Sequence, residues 1–68
     1  MNDDAFNMSV RKFLKQVGIN GQREIENAVR QAISNGDLTG SEILTAKMTL
    51  TLSRTPLQMV IEDEITLE

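Results

Sequence analysis

The hydrophobic period of this chain changes near Gly40, and that change limits the fold more than any other feature. Before it, apolar residues recur at spacings of three and four, as on a helix; after it they alternate with polar ones, as on a strand. The pattern predicts an α+β protein: two N-terminal helices forming a helical hairpin, then a C-terminal antiparallel β-hairpin, in a single small domain over residues 1–68.

Phe6, Val10, Phe13, Leu14 and Val17 make the first helical stripe. Asp3 or Asp4 is placed to cap it, and Gly18 stands where a left-handed terminator is wanted. Ile25, Ala28, Val29, Ala32 and Ile33 make a second stripe, which Asn20 can cap and Asn35-Gly36 can end. The short connection Gly18-Ile19-Asn20 favours two helices folded against each other.

Beyond Glu42, Leu44, Ala46, Met48, Leu50 and Leu52 alternate with polar residues, and Leu57, Met59, Ile61, Ile65 and Leu67 do so in the closing segment. Joining the two through Ser53-Arg54-Thr55-Pro56 sets Leu50 against Met59 and Met48 against Ile61 on one face. The same register sets Lys47 against Glu62 on the other. Asp63 falls in the apolar phase, either as an inward charge that blunts an edge or as a residue turned out by a bulge.

Composition then narrows the function. A chain of 68 residues buries only about 60% of the surface its unfolded form exposes, and small domains are usually reinforced by disulfides, metal or association. With no Cys and no His, association is the remaining reinforcement. A lone hairpin also offers two open edges and an apolar face that two short helices cover incompletely. The expectation is a homodimer, with Met8, Leu50, Met59 and Ile61 as candidate interface residues and the hairpin edge as a place where another protein could add a strand. Met8 is singled out because it lies off the main stripe of its helix.

An enzyme is not expected, and neither is a cofactor or metal. No His is present for acid-base work near neutral pH, and Ser9, Ser34, Ser41 and Ser53 have no adjacent base. Glu62, Asp63 and Glu64 are the densest carboxylates, but alternation sends Asp63 to the face opposite the other two. The opening Met1-Asn2-Asp3-Asp4 lacks the basic segment and apolar core of a signal peptide, and no apolar run approaches the roughly 20 residues that cross a bilayer. A cytoplasmic protein with no membrane contact is the expectation.

The alternative function is a helix-turn-helix-like nucleic-acid-binding module using Arg11, Lys12, Lys15, Arg23 and Arg30, with Gly18 in its turn. Charge argues against it. Residues 1 to 40 carry five basic and five acidic groups, and the whole excess behind the net charge of −3 lies in the second half, where a phosphate backbone is repelled.

The opening Met1-Asn2-Asp3-Asp4-Ala5-Phe6-Asn7-Met8-Ser9, with Arg11-Lys12-Phe13-Leu14, Gln22-Arg23-Glu24-Ile25-Glu26, Met48-Thr49-Leu50-Thr51 and the ending Glu64-Ile65-Thr66-Leu67-Glu68, resembles a family of short uncharacterised bacterial proteins. The resemblance implies a bacterial, full-length, single-domain protein. It brings no catalytic or ligand-binding residue with it.

Overall fold

The computed structural model describes every residue, Met1–Glu68, and contains one α-helix followed by one antiparallel hairpin. Helix α1 spans Asp3–Ser34, strand β1 Ile43–Thr51 and strand β2 Gln58–Thr66. The chain divides into two compact units, Met1–Asp37 and Leu38–Glu68. The α+β class and the hairpin are therefore as expected, but the two expected helices are one.

The phase of the stripe explains why the helix does not break at Gly18-Ile19-Asn20. Phe6, Val17 and Ala28 are each eleven residues apart, as are Val10, Gly21 and Ala32, and as are Leu14 and Ile25. Eleven residues make about three turns, so these members of the two stripes lie along one face of a continuous helix and no change of phase marks a break between them. Neither Gly18 nor Gly21 has a positive φ. Each costs about 1 kcal/mol relative to alanine in a helix interior, which lowers stability without stopping the helix. Asn20, expected to cap a second helix, instead accepts a hydrogen bond from Arg23 Nη2 at 2.8 Å through its side-chain oxygen.

Both ends of α1 are chemically closed. Asn2, rather than Asp3 or Asp4, is the N-cap: its side chain accepts from the Ala5 amide at 3.1 Å, while the two aspartates lie in the first turn and favour the positive end of the helix dipole. At the other end Gly36 takes φ +83° and donates to the Ile33 carbonyl at 3.1 Å, and Asp37 donates to Ala32 at 2.8 Å. This double return is a Schellman closure, and Asn35-Gly36 ends the helix where the sequence indicated.

In the second unit the register is the one the alternation implied. Leu50 pairs with Met59, Met48 with Ile61 and Lys47 with Glu62, and the ladder runs unbroken from Ile43↔Thr66 to Thr51↔Gln58. No bulge intervenes, so Asp63 stays on the apolar face opposite Ala46. Its Oδ1 accepts from the Glu64 amide at 2.8 Å. The tip turns at Leu52–Thr55, where the Thr55 amide and hydroxyl both donate to the Leu52 carbonyl, at 3.3 and 2.8 Å. Arg54 takes the left-handed conformation that this turn requires, at φ +64°. Pro56, which has no amide hydrogen, follows outside the ladder.

Candidate interaction surfaces

The molecule has no interior. No residue of either unit is buried, and the most covered apolar side chains are only half-buried, among them Val17 and Val29 on α1 and Leu44, Leu50 and Ile65 on the hairpin. Two surfaces follow from this.

The first is the stripe on α1. At 1.5 Å per residue the helix is about 48 Å long, and Phe6, Phe13 and Leu14 are each 51% exposed along it. Met8 does not belong to this stripe. It projects from the opposite side, as does Ile19 eleven residues later, and at 71% exposure it touches little.

The second is the apolar face of the hairpin, formed by Leu44, Ala46, Met48 and Leu50 opposite Ile65, Asp63, Ile61 and Met59. Three of the four candidate interface residues, Leu50, Met59 and Ile61, share this face. Leu50 is half-buried, whereas Met59 and Ile61 are 42% and 55% exposed. The sheet has only two strands, so the outer edges of both carry backbone groups without a strand partner.

The basic residues do not form a recognition surface of the expected kind. With a continuous helix there is no turn and no separate recognition helix, and the helix-turn-helix-like reading falls with it. Arg11, Lys12 and Lys15 cluster near the middle of the rod's first half. Arg23 is held by Asn20, and Arg30 lies 3.4 Å from Glu26 in an exposed i,i+4 ion pair. Lys47 and Glu62 face each other in the register, but their charged groups form no such pair. Glu62 and Glu64 share one face and Asp63 takes the other, and no set of three acidic side chains is grouped to hold a metal ion.

One polar arrangement was not anticipated from the sequence. In the loop before β1, Glu42 folds its carboxylate back onto three successive amides: Oε2 accepts from Thr39 at 2.7 Å, and Oε1 from Gly40 and Ser41 at 2.9 and 3.2 Å. The Thr39 amide does most to hold this carboxyl down at about 2, against an ordinary 4.5, with the Gly40 amide assisting and desolvation opposing. Gly40 makes the curl possible at φ +102°, and the Thr39 and Ser41 hydroxyls meet at 3.0 Å across it. The only trace in the sequence is a glutamate directly after a Thr-Gly-Ser turn.

These features define a small α+β protein made of one long amphipathic helix and one antiparallel hairpin. No helix is long and apolar enough to cross a membrane. The chain belongs to DUF6494, a family of unknown function whose model matches residues 1–68. No curated protein and no solved structure matches it.

Proposed function

We propose that this is a cytoplasmic, non-enzymatic protein that works by protein-protein association, first with a second copy of itself. One observation carries the reading: neither unit buries a single residue, although together they display two phenylalanines and a run of Leu, Ile, Val and Met side chains on defined faces. Removing apolar surface from water is the dominant favourable term in folding. A chain that leaves so much of it outside, and has no cysteine to cross-link, gains the most by covering it with another polypeptide. Of the two open hairpin edges, β1 is free of carboxylates while β2 carries Glu62, Asp63 and Glu64. Like charges opposite one another are unfavourable, so β1 is the edge at which two copies pair.

Sedimentation equilibrium over a dilution series, with circular dichroism at each concentration, tests this. A dimer that loses ordered structure as it dissociates is the expected result, and a folded monomer at every concentration would overturn the proposal. Leu50→Arg places a charge on the apolar hairpin face, at its tip end, and is expected to disperse or unfold the assembly. A dimer of unchanged stability in that variant would count against the hairpin as a contact surface.

A further inference from the structure

Asparagine stands directly before glycine twice in this chain, at Asn20-Gly21 and at Asn35-Gly36. Such a pair is chemically labile, because the glycine nitrogen can attack the asparagine side-chain amide with no side chain of its own in the way. The fold puts the two pairs in opposite circumstances.

Asn20-Gly21 lies inside α1, where the Gly21 amide belongs to the helical ladder. The Asn20 side-chain oxygen is also engaged, by Arg23 Nη2 at 2.8 Å. Attack there would swing Asn20 out of helical geometry and open the rod in its middle. Asn35, by contrast, is the C-cap, at φ −80° and ψ −8°, and both it and Gly36 are exposed. The Gly36 amide bonds to the Ile33 carbonyl at 3.1 Å, and a Cβ on Gly36 would meet nothing within 4 Å. Opening that bond frays only the last turn, and helix ends open at far lower cost than interiors. Asn2, Asn7 and Asn27 precede Asp3, Met8 and Ala28, whose side chains hinder the attack.

We infer that Asn35 is a site of spontaneous deamidation. The Gly36 nitrogen gives its proton to solvent base and bonds to Cγ of Asn35. The Cγ–Nδ2 bond breaks, ammonia leaves, and a succinimide ring closes. Water then opens the ring at either carbonyl, leaving aspartate or isoaspartate. One water is consumed and one ammonia released, and no oxidant or cofactor takes part. Either product adds a negative charge to the −3 of the chain, at the end of α1 where the helix dipole disfavours it. Isoaspartate also routes the main chain through Cβ and Cγ. That displaces the Gly36 and Asp37 amides from the Ile33 and Ala32 carbonyls and undoes the closure just before the hairpin unit begins at Leu38.

Trypsin separates the two pairs, since Arg23 and Arg30 lie between Asn20 and Asn35. The full chain is aged in mildly alkaline buffer, with and without guanidinium chloride, and the two peptides are followed by mass spectrometry. Methyl transfer by an isoaspartyl methyltransferase measures the isomer. In native buffer Asn35 is expected to convert at least about tenfold faster than Asn20, with isoaspartate in its peptide, and the difference should vanish in denaturant. Equal rates at the two sites in native buffer would overturn the inference. So would an Asn35 that stays intact in native buffer while it converts in denaturant.

Discussion

The helix unit and the hairpin unit satisfy their backbones by opposite means. In α1 every interior amide finds its acceptor four residues away, and both ends are closed by local groups, Asn2 at the start and the Gly36 return at the end. The hairpin pairs residues up to 23 positions apart, from Ile43↔Thr66 inward, and still leaves two outer edges without a strand partner. The difference teaches what each kind of sequence signal can specify. Local bonding tolerates an imperfect residue, because the next turn restores the ladder. Cross-strand bonding does not tolerate a slip, because a shift of one residue turns every apolar side chain to the other face.

That contrast can be broken most sharply at Ile19. It lies on the side of α1 away from the stripe, so replacing it disturbs no apolar contact there. Ile19→Pro removes an amide from the middle of the ladder and is expected to cost about 3 kcal/mol, with a loss of helical circular dichroism. An unchanged helical signal would mean that the chain already breaks at Gly18-Ile19-Asn20 in solution.

Two glycine substitutions sharpen it with opposite signs. A Cβ on Gly18 meets nothing within 4 Å, and its backbone is already helical, so Gly18→Ala is expected to stabilise by about 1 kcal/mol. Gly36 has equal space but sits at φ +83°, and Gly36→Ala is expected to destabilise by about 1 kcal/mol. Thermal or urea unfolding of the two variants checks the pair, and a shift in the same direction for both would contradict the assignment of Gly18 to a helix interior and Gly36 to its terminator.

A smaller effect is expected in acid. The Glu42 carboxyl is lower in the folded chain than its ordinary 4.5, at about 2. Its contribution is therefore present above the ordinary value and is lost as pH falls through the window from about 4.5 to about 2. Stability measured across that window should fall, and Glu42→Gln should flatten the part of the fall that belongs to this loop. A variant with the same acid dependence as the parent would show that other carboxylates account for it.

The sequence was a good guide to the hairpin and a poorer one to the helix, for reasons visible in single residues. Strict alternation, Lys47 opposite Glu62 and Pro56 at the tip all agree on one register, and the ladder has it. The helical stripes were placed correctly, but Gly18 was read as a stop when it is only a weak point. A stop needs something that forbids continuation, such as a proline or a stripe out of phase, and here the eleven-residue spacing runs straight through. Asn2 was missed as the cap because Asp3 and Asp4 beside it are equally suited to the role. Asp63 could not be settled by alternation alone, since a bulge and an inward charge leave the same trace in one strand; only the unbroken pairing with β1 separates them. Of the candidate surface residues, Leu50, Met59 and Ile61 were legible as one face, whereas Met8 lies on the helix, in the other unit and away from its stripe.

The curl at Thr39–Glu42 bears on what this chain is able to recognise. Three consecutive backbone donors arranged in a concavity are a familiar receptor for a phosphate or a foreign carboxyl group. Here that receptor is supplied with its own guest, a glutamate one residue further on, which stays ionised down to about pH 2. An incoming anion would have to evict a tethered one and then sit beside the charge it displaced. The loop is in effect self-inhibited as an anion receptor.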